Sequence, residues 1–77
     1  MVHKILPRPS FLDTCVSLKV VGNRKVWRSH DGKRLYTWDS LHGEIEVFNR
    51  QGRHLGSADA ISGALIKTAV KGRKLDV

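Results

Sequence analysis

Fourteen Lys and Arg against seven Asp and Glu make this 77-residue chain strongly basic, with a net charge of +7 and a pI near 10.2. So few residues can furnish only one apolar core, so residues 1–77 are read as a single domain. The lone Cys15 excludes an intrachain disulfide, and no apolar run approaches the ~20 residues that a membrane-spanning helix needs.

In chain order, Met1 to Lys4 leads to Pro7 and Pro9 without an apolar stretch, which argues against a secretory signal peptide. Ser10 as N-cap with Asp13 in the first turn predicts one or two helical turns ahead of the main fold. Cys15 reads as a small buried hydrophobe rather than a nucleophile. Glycines then recur at 22, 32, 43, 52 and 63, each beside a turn-forming partner such as Gly22-Asn23 or Asp31-Gly32. Between them lie β-branched and aromatic runs at 16–21, 25–29, 34–40, 44–49 and 53–58, with a further edge strand at 64–70. Turn signals every 9 to 11 residues predict successive hairpins. The fold class expected is mainly β, one twisted antiparallel meander of five to six strands with a short N-terminal helix. The basic tail from Lys71 is expected to be loosely held.

The charge is unevenly spread. Residues 1–32 hold six basic and two acidic side chains, 33–66 four of each, and 67–77 four basic and one acidic. Two basic wings imply a polyanionic partner, of which nucleic acid is the commonest. Yet Asp39, Glu44 and Glu46 crowd the centre, where they would repel phosphates. Either they face away from the nucleic acid or they act on it. If His42-Gly43 forms a two-residue turn, Leu41 pairs with Glu44 and Asp39 stands opposite Glu46, with all three carboxylates on one face and Tyr36, Trp38, Ile45 and Val47 on the other. Facing carboxylates weaken a hairpin and favour the protonated form of one partner, a useful property in a base. RNA cleavage through the ribose 2′-hydroxyl needs a base, an acid and a cation for the phosphorane, and carboxylate–histidine sets supply the first two. The bland alternative is a solvated surface hairpin. One His among scattered carboxylates is a weak metal signature, and neither metal nor organic cofactor is expected. Trp27, Tyr36, Trp38 and Phe48 are candidates for base stacking or for core packing.

Three motifs carry a resemblance: Gly32-Lys33-Arg34-Leu35-Tyr36-Thr37-Trp38-Asp39, His42-Gly43-Glu44-Ile45-Glu46, and Gly52-Arg53-His54-Leu55-Gly56-Ser57. In this order the chain resembles the cytotoxic ribonuclease domain of the ribosome-inactivating colicins and cloacin over 26–73, with one residue fewer between Glu46 and His54. The resemblance implies a highly twisted antiparallel sheet and one cut in the decoding region of small-subunit ribosomal RNA, which stops translation. Asp39, His42 and Glu46 fall on the family's catalytic positions: Glu46 as base, His42 as acid, Asp39 orienting His42. Counting on from His54, Arg73 falls on the phosphate-stabilising arginine and Lys67 on an RNA-contacting lysine, while Glu44 matches an acidic position with an auxiliary role. Lys33, Arg34, Tyr36, Trp38, Phe48, Lys71 and Lys74 complete the expected RNA-binding set. Phe48 replaces an aromatic hydroxyl of the family, and the turn after Asp59 lacks the family's Pro and Thr. Residues 1–25 have no counterpart in the resemblance.

The partners implied are the ribosome with its small-subunit RNA and an acidic immunity or antitoxin protein complementing the basic surface. The expected place of action is the bacterial cytoplasm, reached from within by a free-standing toxin or by delivery as a bacteriocin or effector tip. The Met start favours the free-standing form. A non-catalytic RNA- or ribosome-binding module and a ribosome-dependent messenger-RNA interferase are the alternatives.

Overall fold

The computed structural model describes residues 3–21 and 24–75. One antiparallel sheet dominates it, built from β1 (Val16–Val21), β2 (Arg24–Arg28), β3 (Arg34–Asp39), β4 (Glu44–Asn49), β5 (His54–Ala58) and β6 (Leu65–Thr68), each paired with the next. This is the meander the turn spacing predicts. The Gly22-Asn23 turn lies outside the described residues. The predicted helix is a single 3₁₀ turn, Phe11–Thr14, and Ser10 N–H donates to Asp13 Oδ2 at 2.8 Å to fasten its start.

Asp or Asn opens the successive hairpin turns by the same device. Asp39 Oδ1 accepts the N–H groups of Leu41 and His42, Asn49 Oδ1 those of Gln51 and Arg53, and Asp59 Oδ2 those of Ile61 and Ser62. This corrects the register expected for β3 and β4. Because the Asp39 carboxylate captures two N–H groups, the turn spans 40–43, so Asp39 pairs with Glu44 and Thr37 with Glu46. A shift of two residues preserves the faces, so all three carboxylates still share one side.

Trp27, Tyr36, Trp38, Ile45, Val47 and Ala58 form the other face, covered by Leu6, Phe11, Leu12 and Cys15 from the N-terminal segment. Phe11 meets Tyr36 edge to face at 5.5 Å. Cys15 is half-buried, and burial pushes its thiol pKa up. The carboxylate face holds the second cluster, Val26, Leu35, Phe48 and Leu75. Its Leu75 corrects the expectation of a loose tail. Leu75 is 8% exposed, its N–H donates to Gly52 C=O at 2.7 Å, and Arg53 bridges Lys74, so apolar burial and backbone pairing tie residues 73–75 down. Among the described residues, no helix is long and apolar enough to cross a membrane.

Candidate functional site at the end of the β3–β4 hairpin

On the carboxylate face, the pairings align Thr37, Glu46, Ser57 and Lys67 in one row across β3 to β6. Glu46 occupies the centre, 4% exposed between two small side chains. A buried carboxylate needs compensating donors. Arg73 Nη1 donates to Glu46 Oε1 at 2.9 Å, and His54 Nε2 lies against Glu46 Oε2. The backbone N–H of Val70 donates to His54 Nδ1 at 2.8 Å. Nδ1 is therefore an acceptor, and the ring proton sits on Nε2, facing the carboxylate.

Two local devices bring these groups together. A β-bulge on β5, opposite the Val47–Phe48 step of β4, leaves Leu55 without a partner, and Phe48 pairs with His54. Strict alternation back from Ser57 would put His54 on the opposite face; the bulge returns it to Glu46. The second device is a turn in which Arg73 N–H donates to Val70 C=O at 3.2 Å and Gly72 takes φ +85°. A side chain there would be strained, so glycine at 72 lets the chain double back and aim Arg73 at Glu46.

At the hairpin end, Asp39 Oδ2 and His42 Nδ1 are 2.7 Å apart. Burial pushes the Asp39 carboxyl up, but the hydrogen bonds from the His42 ring and N–H, the His42 charge and the Leu41 N–H outweigh it. The group titrates below its ordinary 3.8. With Nδ1 engaged, the exposed His42 ring has Nε2 free for another molecule. Asp39, His42, Glu46 and Arg73 all line one cleft of about 830 Å³.

The other expected residues scatter. Trp38 lines the cleft. Lys67 Nζ pairs with Glu44 Oε1 at 3.0 Å, so each neutralises the other at the row's edge. Lys71 and Lys74 are exposed either side of Arg73. Arg34 sits at the far end of β3, five residues from Asp39 and thus roughly 17 Å away along the strand, and Lys33 precedes it. Tyr36 and Phe48, at 4% and 1% exposure, are core residues with no face free for a base, which corrects the stacking expected of them. Trp27, a stacking or packing candidate, also lines the cleft, and sequence reasoning overlooked its neighbours there, Leu6 and Lys25, whose Nζ lies 5.1 Å from the Trp27 ring centroid. It also gave His54 no role, although the residue stands within a quoted motif. Among the described residues, no three His, Cys, Asp or Glu side chains converge as a metal site.

Over 47 residues, 60% of its length, the chain is 45% identical to colicin E3, 40% to colicin E6 and 38% to cloacin, all from Escherichia coli. The matched stretch is about 8% of each relative's length. Residues 13–76 match the model of the Cytotoxic family. The chain belongs to that family, the colicin E3-type cytotoxic domains of bacteriocin toxins.

Proposed function

We propose that this chain is an endoribonuclease toxin that cuts small-subunit ribosomal RNA in the decoding site and so blocks translation. The observation that carries the reading is the convergence of Asp39, His42, Glu46 and Arg73 on one cleft of a chain with net charge +7. The same residue types, scattered as solvated surface groups, would not share a cleft with a buried carboxylate.

Glu46 is the base and takes the proton of the ribose 2′-hydroxyl. A carboxylate has about four lone-pair positions, of which Arg73 takes one on Oε1, while His54 Nε2 lies against Oε2. As O2′ bonds to phosphorus, negative charge builds on the phosphorane oxygens, and Arg73 stabilises it. Arg73 is only half-buried, so an arriving phosphate competes with Glu46 for its guanidinium and uncovers the base as it binds. The P–O5′ bond then breaks, and His42 gives the Nε2 proton to O5′. Asp39, ionised under ordinary conditions, holds His42 through Nδ1. The products are a 2′,3′-cyclic phosphate and a 5′-hydroxyl, and solvent returns both groups to their starting protonation. No step calls on a metal or a cofactor. A positioned acid or base contributes about 10²–10⁴ each.

Lys71 and Lys74 extend the positive surface along the RNA backbone, and an acidic immunity protein is the partner that fits the chain's charge. The test is incubation of bacterial ribosomes with the wild type and with Glu46→Gln, followed by primer extension on ribosomal and messenger RNA. One stop in small-subunit RNA, absent with the variant, supports the reading. A stop in messenger RNA alone points to an interferase. Binding without any cut leaves a non-catalytic module.

A further inference from the structure

The segment His3–Leu6 lies outside the stretch that matches the Cytotoxic family model, yet it is bound to the turn that carries His42. Lys4 N–H donates to Ser40 C=O at 2.7 Å, and Lys4 C=O accepts the Trp38 indole N–H at 3.0 Å. His3 Nδ1 lies 3.1 Å from Ser40 Oγ. The Lys4 stem rests on Gly43, where an added Cβ would come within 2.6 Å of Lys4 Cδ. Leu6 packs on the core and forms one wall of the cleft. These contacts fall on both ends of the 40–43 turn and on the strand entering it.

The turn needs such support. His42 is exposed, and its position depends on Asp39 and on the turn backbone. Asp39 fastens the start of the turn, but Gly43 at its far end has φ +70° and no side chain to pack, so that end takes its packing from elsewhere. An acid must sit within hydrogen-bond reach of its leaving group, and a displacement near 1 Å can cost about 100-fold in rate.

We propose that His3–Leu6 is a strap that positions the His42 turn for RNA cleavage, with Lys4 as its anchor through two main-chain hydrogen bonds. The inference rests on the ribonuclease reading above. The strap's hydrogen bonds go to the turn and to Trp38 rather than to Glu46 or Arg73, so it governs the rate of the bound complex more than its formation.

The test compares full-length wild type, Lys4→Pro and Lys4→Ala in single-turnover cleavage over a range of ribosome concentrations. The Trp38 indole N–H resonance is followed alongside as a marker of strap docking. Lys4→Pro deletes the N–H given to Ser40, whereas Lys4→Ala keeps both main-chain bonds. The expected result for Lys4→Pro is a shifted Trp38 resonance, a maximal rate about 10–100-fold lower and a half-saturating concentration within about threefold of wild type. Lys4→Ala should lose far less. A released Trp38 signal with an unchanged maximal rate overturns the proposal. So do equal losses in both variants, or a loss confined to half-saturation, which would assign Lys4 to binding. If Lys4→Pro does not fold, Trp38→Phe removes the second bond while keeping an aromatic ring at that place in the cleft wall. Its maximal rate should fall several-fold, and an unchanged rate overturns the strap. Wild-type protein that cuts nothing removes the ribonuclease reading itself, and the strap proposal with it.

Discussion

Replacing His54 with alanine should cost far more stability than replacing Arg73, although both side chains contact the same carboxylate. His54 is 3% exposed, its Nε2 faces Glu46, its Nδ1 accepts the Val70 N–H, and its ring meets Phe48 edge-on at 5.3 Å. His54→Ala removes the group lying against Glu46 Oε2 and leaves the Val70 N–H without its acceptor. Val70 is itself exposed, so the cost falls on the Glu46 contact, and breaking a buried pair costs about 3–5 kcal/mol. Arg73 remains beside Glu46, so the lower end, about 3 kcal/mol, is expected. A 77-residue chain has a total margin of about 4–12 kcal/mol. Arg73 is half-exposed, and Arg73→Ala should cost about 1 kcal/mol or less. Urea unfolding followed by circular dichroism reads the difference. With a slope near 1 kcal/mol per molar, the His54→Ala midpoint should fall by about 3 M. Combining His54→Ala with Glu46→Gln should cost at least about 1 kcal/mol less than the sum of the two single losses. A His54→Ala loss below about 1 kcal/mol, or strict additivity with Glu46→Gln, would refute the buried His54–Glu46 contact.

Acid should unfold the protein partly through its turn carboxylates. Asp31, Asp39 and Asp59 all titrate below 3.8, and a depressed folded pKa means stability that is present above the unfolded value and lost as pH falls through the folded one. Asp39→Asn, which keeps an acceptor for the Leu41 and His42 N–H groups, should therefore flatten the fall in melting temperature below about pH 4, and an unchanged acid slope would contradict this. Gly72→Ala meets no atom within 4 Å but must adopt φ +85°; it should cost about 1–2 kcal/mol in thermal melts and lower cleavage by displacing Arg73, and a neutral variant would show that the turn does not aim that residue.

Local chemistry made most of the sheet legible. Glycine and Asx turns at a near-constant interval mark five strand boundaries, and alternation put the three carboxylates on one face. The β3–β4 register was hidden because Asp39 was weighed as a reactive group and not also as a turn former; its two backbone contacts lengthen the turn by two residues. His54 escaped because the bulge at Leu55 breaks the two-residue period that side-chain facing is read from. The tail gave no signal, since a single leucine, Leu75, among basic residues provides its apolar anchor. Arg73 reached the site through motif counting alone. Its contact with Glu46 depends on a turn that only the folded chain displays.

Cleavage of small-subunit RNA by the wild-type chain, set against Glu46→Gln on the same ribosomes, tests the central claim most directly. One discrete 3′ fragment of the small-subunit RNA is expected with the wild type, and a cleavage rate at least about 100-fold lower with the variant. Equal cutting by both proteins, or intact RNA in both lanes with folded protein bound to the ribosome, would contradict it.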